Sequence, residues 1–509
     1  MKQYIIAHDL GTTGNKATLY DKEGQLHATT FFGYDTDYSQ TNWAEQNPDD
    51  WWQAVISTTR QLLAESHVRG DEIACVTFSG QMQGVVAVDK AAKPLRSAII
   101  WADQRATDAV NQLAERISPA DVYRITGHRL SAAYSLPKIL WIRDHQPDIF
   151  AATHKFMHAK DAIIARMTGQ FVTDPSDASG MNLYHLEGGK WSDAILQAAD
   201  LDSDKLPEIR RSIDIAGEIF PDVATEMGLP RGIPVVIGGG DGACASVGAG
   251  SVRENIAYTY VGSSAWIART SRKPIYDPQQ RTVTFGHVVP DLFIPMGTMQ
   301  TAGAAYQWVR DQLAPLEQQA AQDLGISAYT LLNAVAEISP PGANHLLFLP
   351  YLLGERAPRW NPDARAVFLG LTIRHTRADM VRSVMEGVAF NLCVILKAMQ
   401  NQGVTIDSIR AIGGGVSRPF WSSIMADIYG VPLQRLAILE SATSMGAAVV
   451  GGVGVGLYPD FSIAERMNPV TNTIHPNPEN DAVYRQLLAV FENAYHAIEP
   501  IFSQLAELQ

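Results

Sequence analysis

Hydrophobic and polar positions follow one another in the same order twice along the chain. Tyr4-Ile5-Ile6-Ala7-His8-Asp9 runs into Gly11-Thr12-Thr13-Gly14 and then into a second apolar run, Ala17-Thr18-Leu19-Tyr20. In the other half, Ile256-Ala257-Tyr258-Thr259-Tyr260-Val261 runs into Gly262-Ser263-Ser264 and then Ala265-Trp266-Ile267-Ala268. Each reads as strand, glycine-and-hydroxyl turn, strand, which is the signal of a β-hairpin. Such a turn offers backbone N–H groups and hydroxyls to an anion. One per half suggests two similar lobes closing on one phosphorylated molecule. Two ordinary hairpins would read the same way, and the turns alone do not decide between them.

Around the first hairpin the alternation places strands at 3–9, 15–21 and 25–32, an antiparallel meander. A helix follows from Asn47, with Pro48 at its first position, Asp49 and Asp50 in its first turn, and an apolar stripe through Trp52, Val55, Ile56, Thr59, Leu62 and Leu63. The Trp51-Trp52 pair belongs to that packed stripe. Further strands are predicted at 73–78 and 84–89, then a mostly helical stretch to about residue 230. Residues 233–237 read as a buried strand, followed by Gly238-Gly239-Gly240-Asp241-Gly242 and a small-residue helix over 243–250. The polar run Ser251-Val252-Arg253-Glu254-Asn255 divides the chain into domains 1–252 and 253–509. In the second half a helix spans about 377–401, a strand 409–412 leads to Gly413-Gly414-Gly415, and another helix starts near Phe420. The small and apolar stretch 442–457 holds five glycines, which suits a helix buried against a sheet better than a membrane span.

Composition narrows the class. At 509 residues the chain exceeds one ordinary core, and 46% hydrophobic with 18% charged residues describes a globular protein. The net charge of −13 has no offsetting basic run, so neither nucleic acid nor a membrane surface is an expected partner. Cys75, Cys244 and Cys393 lie far apart in apolar contexts without metal-ligand spacing, as reduced buried thiols do. The first residues lack the pattern of a signal peptide, so a cytoplasmic location is expected.

Four glycine turns follow strands, around Gly11, Gly240, Gly262 and Gly414. Glycine lets backbone N–H donors come close to phosphate. The Gly-Lys-Ser/Thr ending of a P-loop is absent. Gly238-x-Gly240-x-x-Ala243 mimics a dinucleotide fingerprint, but Tyr260 stands where that fingerprint needs an acidic residue. Two carboxylates, Asp9 and Asp241, stand at strand ends beside these turns. In phosphoryl transfer carboxylates hold Mg²⁺ and accept the proton of the attacking hydroxyl. Asp241 could equally be a helix N-cap; the three glycines before it, hard to justify by packing, favour chemistry. Polar clusters at Ser79-Gly80-Gln81-Met82-Gln83-Gly84 and Trp101-Ala102-Asp103-Gln104-Arg105 supply the carboxamide, carboxylate, guanidinium and aromatic groups that a polyhydroxylated ligand needs, or are plain surface loops.

The chain resembles the FGGY family of carbohydrate kinases over essentially its whole length. Asp9-Leu10-Gly11-Thr12-Thr13 looks like that family's first phosphate motif. Residues Ser135-Leu136-Pro137-Lys138-Ile139-Leu140-Trp141-Ile142-Arg143-Asp144-His145 are similar to its first signature, with Ala133 departing at the first position. Ala366-Val367-Phe368-Leu369-Gly370-Leu371, Asp379-Met380 and Ser383-Val384-Met385-Glu386 match the second, in which Glu386 is functional or merely structural. The resemblance implies an α/β fold of two ribonuclease-H-like, actin-like lobes with sugar and ATP in the interlobe cleft. By that analogy Asp241 is the general base and Asp9 lies by Mg²⁺. Gly11, Thr12, Thr13, Gly262, Ser263, Gly303, Gly414 and Gly415 take the nucleotide, and Gln81, Met82, Gln83, Trp101, Asp103 and Gly242 take the sugar. Likeness is greatest to the xylulokinase branch, through Ser79-Gly80-Gln81-Met82, Trp101-x-Asp103-x-Arg105 and Trp43-Ala44-Glu45-Gln46. That branch usually has His at Gln83 and Asn at Gly242. The expected reaction is therefore ATP-dependent phosphorylation of a ketopentose, D-xylulose to D-xylulose 5-phosphate, with another pentulose, a hexulose or a polyol as alternative acceptors. A non-catalytic sugar and ATP sensor on the same fold is the distant rival. A homodimer is compatible with these readings.

Overall fold

The computed structural model describes residues 2–40 and 42–508. Two sheets organise it. The first is built from β1 (Tyr4–Leu10), β2 (Gly14–Asp21), β3 (Leu26–Gly33), β4 (Ile73–Gly80), β5 (Ile215–Glu218) and β6 (Pro234–Gly240), in the order β5-β6-β4-β1-β2-β3. The second comprises β7 (Ala257–Val261), β8 (Ala265–Arg269), β9 (Val283–Gly286), β10 (Phe293–Met299), β11 (Ile409–Ile412), β12 (Leu433–Leu436) and β13 (Val470–Ile474), in the order β9-β10-β8-β7-β11-β12-β13.

The repeat seen in the two hairpins extends through both sheets. In the first, β3, β2 and β1 run antiparallel, β1, β4 and β6 parallel, and β5 closes antiparallel. In the second, β10, β8 and β7 run antiparallel, β7, β11 and β12 parallel, and β13 closes antiparallel. This is the strand order of two ribonuclease-H-like lobes. Patterning explains the positions: β4 is buried at every residue, as a strand covered on both faces must be, whereas β3 buries only Thr30 and lies at an edge.

Helix α1 (Pro48–Ser66) forms where its capping residues predict; the Asn47 side chain accepts from Asp49 N at 3.1 Å, and Trp51 and Trp52 are both buried. Helices α2 (Asp241–Gly248) and α4 (Ala442–Gly454) join the lobes, while α3 (Arg377–Gln400) fills the core of the second. The glycine-rich stretch is α4, and it packs across α2 onto β4, β1 and β6 of the first sheet. A Cβ at Gly446 would lie 1.9 Å from Cys244 O, so the helices can cross this closely only without side chains there. Ile5, Cys75, Cys244, Tyr258, Ile412, Met445 and Val449 form a shared core around this crossing, and all three cysteines are buried and free. No helix among the described residues is long and apolar enough to cross a membrane.

Three boundaries differ from expectation. The strand expected at 84–89 shortens to Val86–Val88. The strand expected at 233–237 continues through Gly240, so α2 begins at Asp241 and ends at Gly248, short of the 243–250 expected. The cause is a bulge between Val236 and Gly239: Gly238 has φ +74, and a Cβ there would lie 1.8 Å from Phe78 O. Gly240 is therefore strand, not turn. The triple glycine also has packing reasons, since a Cβ at Gly239 would meet Val288 at 2.2 Å and one at Gly240 would meet Met82 at 2.6 Å.

Candidate active site

Two cavities neighbour each other, one between the lobes and one within the second lobe. One, of about 520 Å³, is lined from the first lobe by Asp9, Gly11, Thr12, Thr13, Met82, Gln83, Trp101, Asp241 and Gly242. Tyr260, Ser263, Ser264, Trp266, Gln300 and Arg356 are among its second-lobe residues. The other, of about 440 Å³, is lined by Gly262, Ser263, Gly303, Gly414 and Gly415 with Tyr306, Arg418 and Glu440. Ser263 belongs to both, so the two chambers meet at the second hairpin turn.

Asp9 is the penultimate residue of the central strand β1 and Asp241 is the first residue of α2, and both reach the larger cavity. Asp241 Oδ1 accepts from Gly242 N at 2.7 Å, and Asp9 Oδ1 accepts from Ser79 Oγ at 3.0 Å. Burial raises the carboxyl of Asp241 to about 7, and the negative charge of Asp9 adds to the shift. Burial also raises Asp9, opposed by the Ser79 hydroxyl and by Lys16. Lys16 sits opposite Asp9 in the hairpin register and donates to Glu440 O at 3.2 Å. It therefore brings a cation to the border of the two cavities, a residue that the sequence reading passed over.

The first turn is held from three sides. Gly11 N donates to Asp9 O and Gly14 O, Tyr34 Oη donates to Gly11 O at 2.6 Å, and Gln46 Nε2 donates to Thr12 O at 2.6 Å. Trp101 Nε1 donates to Thr12 Oγ1 at 2.9 Å, fixing the aromatic wall to the turn. Behind the wall is Lys138, from the first signature stretch. It is buried, and its ammonium donates to Gln83 O, Ile100 O and Ala133 O at 3.0, 2.9 and 2.5 Å. It pins the loops carrying Gln83 and Trp101 to each other. Burial lowers its pKa to about 7. Gln83, at φ +65, is thus held on the cavity wall through its own carbonyl.

Two expected sugar contacts do not line the cavity. Gln81 is buried and donates to Gln46 Oε1 at 2.8 Å. Asp103 is fully buried, accepts from Ala44 N at 2.7 Å and pairs with Arg105 at 2.6 Å, whose guanidinium lies 3.5 Å over the Trp43 ring. A buried guanidinium needs its carboxylate, so Asp103 shapes the loop behind the wall. Glu386 lines neither cavity: it is buried against Arg382 at 2.7 Å, Tyr484 Oη at 2.8 Å and Gly342 N at 3.0 Å, which makes it structural.

Beneath α2 lies a charge cluster that no sequence spacing announced. Lys160 Nζ is 2.5 Å from Asp161, 3.0 Å from Asp174 and 3.1 Å from Asp177, and His158 Nδ1 is 3.0 Å from Asp177. All five are buried. Burial disfavours the ammonium, but the three carboxylates outweigh it and hold Lys160 well above its ordinary pKa. Asp174 accepts from Ser176 Oγ at 2.5 Å, and that oxygen accepts from Gly240 N at 2.9 Å, one residue before Asp241. The ammonium occupies the centre where His158, Asp161 and Asp177 would otherwise offer ligands to a metal.

Comparison with known proteins agrees with this arrangement. A model of the N-terminal domain of the FGGY family of carbohydrate kinases matches residues 4–248, and a model of that family's C-terminal domain matches residues 257–455. A gluconokinase of Bacillus licheniformis is 32% identical over 512 residues, covering 100% of this chain and 99% of that protein. A xylulose kinase of Bacillus subtilis is 32% identical over 494 residues, covering 97% of each. The crystal structure of gluconate kinase from Lactobacillus acidophilus matches with a TM-score of 0.91 at 26% identity and 99% coverage of both chains.

Proposed function

This chain belongs to the FGGY family of carbohydrate kinases and is an ATP-dependent phosphotransferase; we propose that it phosphorylates a primary hydroxyl of a ketopentose, D-xylulose first among them. The observation that carries the mechanism is Asp241, a carboxyl raised to about 7 on the wall it shares with Asp9. Near neutral pH such a group is ionised often enough to accept a proton and basic enough to draw it. The acceptor lies against Trp101, Met82 and Gln83, and its hydroxyl oxygen attacks the γ-phosphorus in line. Its proton passes to Asp241, the new O–P bond forms, and the bond to the bridging oxygen of ADP breaks. The backbone N–H groups and hydroxyls of Gly11, Thr12, Thr13, Gly262 and Ser263 meet the phosphates, and Gly303, Gly414 and Gly415 line the nucleotide chamber.

The donor set suits Mg²⁺. Ser79 occupies one oxygen of Asp9 and leaves the other for a hard cation that takes most of its remaining ligands from water and phosphate. Bound there, Mg²⁺ would supply charge neutralisation to the transferring phosphoryl group. We place the division between the sugar lobe, 1–252, and the nucleotide lobe, 253–509, at the polar run before β7.

A second reading, an aldonic acid such as gluconate, is favoured by one observation: Arg356 lines the cavity and its guanidinium Nε has no acceptor among the described residues. The deciding experiment is ADP release over D-xylulose, D-ribulose, D-fructose, D-gluconate and glycerol. D-Xylulose is expected to lead in kcat/KM by at least about tenfold, since a site built for one pattern of hydroxyls rejects others strongly. A lead by gluconate selects the second reading. ATP and sugar binding without phosphorylated product would select the sensor.

A further inference from the structure

The second lobe contributes polar groups to the acceptor cavity that nothing in the chain satisfies. The loop after residues 347–349 carries Gly354-Glu355-Arg356. Glu355 is buried, and its carboxylate is taken up by the loop itself, accepting from Gln300 N at 2.6 Å, Arg356 N at 2.8 Å and Asn391 Nδ2 at 3.0 Å. Arg356 is left without it. Among the described residues its Nε is shielded from solvent and has no acceptor, and Gln300 Oε1, on the same wall, is shielded and has no donor. Leaving such groups unpaired costs about 1–3 kcal/mol each, more for a charged one. A wall that keeps two of them is complementary to something absent from the chain.

Their position tells sugar from phosphate. The Arg356 guanidinium crosses the cleft and lies 5.4 Å from the ring centroid of Trp101, the first-lobe aromatic tied to Thr12. Neither Arg356 nor Gln300 lines the chamber of Gly303, Gly414 and Gly415. A guanidinium needs acceptors and a carboxamide oxygen needs donors; a sugar hydroxyl is both, whereas a phosphate oxygen is only the first. We propose that Arg356 and Gln300 form the second-lobe half of the acceptor subsite. The sugar lies beside the Trp101–Arg356 pair, accepts from the guanidinium, donates to Gln300 Oε1, and adds a contact between the two lobes only while it is bound. This rests on the sugar-kinase reading above, but not on which sugar is the acceptor.

The experiment uses the full chain and the best wild-type acceptor of the panel, with ADP as nucleotide probe, both by titration calorimetry. R356Q is expected to weaken the acceptor by about 10- to 30-fold, as for a charged hydrogen bond, with ADP affinity moved less than about twofold. Q300L should weaken the acceptor by about fivefold. The double variant should lose less than the product of the two, because both groups orient one ligand. R356K keeps the charge without the fork and should lose about three- to tenfold; it carries the test should R356Q fail to fold. Acceptor affinity within twofold of wild type in both Arg356 variants overturns the proposal. So does a loss of ADP affinity as large as that of the acceptor, which would put Arg356 on the phosphates. If the panel's leader is not D-xylulose, the substrate reading falls, and Arg356 is still judged on the sugar that leads.

Discussion

Replacing Asp241 by Asn should make the protein less active and more stable, and the gain in stability should depend on pH. The carboxyl has a pKa of about 7 in the fold against an ordinary value of 3.8, chiefly because it is buried and secondarily because Asp9 is close. A group raised in this way favours folding in its protonated form. That contribution is complete below about 3.8 and is lost as pH rises through about 7. A shift of roughly three units corresponds to about 4 kcal/mol at 1.36 kcal/mol per unit. Asp241 is partly open to the cavity, and allowing for solvent screening about half of this is expected. Asn keeps the oxygen that accepts from Gly242 N and removes the charge. At pH 8 the variant should therefore gain about 2 kcal/mol, or roughly 4–8 °C in Tm for a lobe of this size. At pH 4 the gain should vanish. Phosphorylation at pH 8 should fall by about 10²–10⁴, the loss typical of a missing general base. Differential scanning calorimetry at both pH values, with an ADP-release assay on the same preparations, measures everything required. A Tm change equal at pH 4 and pH 8 would refute the burial argument, and turnover within about tenfold of wild type would refute the base.

The acid limb of kcat/KM for the acceptor should fall about tenfold per pH unit below about 7, and Asp9→Asn should move that limb to lower pH whatever it does to the rate; an inflection near 4 in the wild type contradicts the assignment. Gly238→Ala should cost more than about 3 kcal/mol in urea unfolding, because a left-handed residue costs about 1–2 kcal/mol and its Cβ would lie 1.8 Å from Phe78 O. Gly430→Ala, at φ +68 with nothing within 4 Å, should cost only the backbone part, about 1 kcal/mol; equal losses at the two sites would show that the bulge is not the cause. Lys160→Met should destabilise by about 3–5 kcal/mol at pH 7, since three carboxylates are left without their cation. The loss should shrink at pH 5, where Asp161, raised by burial, takes up a proton more readily in the fold than in the unfolded chain, and a pH-independent loss would point to packing alone.

Features fixed by neighbours in sequence were legible in the chain, and features fixed by distant approach were not. The two hairpins, the Asn47 cap and the long helix at 377–400 depend on local turn chemistry and periodicity, so each was expected within a few residues of where it lies. Gly238 shows the limit. Three glycines before an aspartate suggested a phosphate loop, yet each has a packing partner far off in the chain, and only Phe78 across the sheet explains the bulge. The site divides along the same line. Asp9, Asp241 and the glycine turns sit at strand ends, where strand direction brings them to one cleft. Gln81 and Asp103 belong to equally polar runs, but the Gln81 amide N–H turns to Gln46 and the Asp103 carboxylate to Arg105. Local polarity could not tell a group that faces a ligand from one that faces the chain. Arg356 is the converse case, an arginine in an unremarked loop whose importance comes from what it lacks. Glu355 beside it is fully occupied, and the guanidinium crosses to Trp101 from a loop more than two hundred residues away. Unsatisfied groups become visible only once the partners of every neighbour are known, and two of those in this protein, Arg356 Nε and Gln300 Oε1, lie on the wall that faces the acceptor.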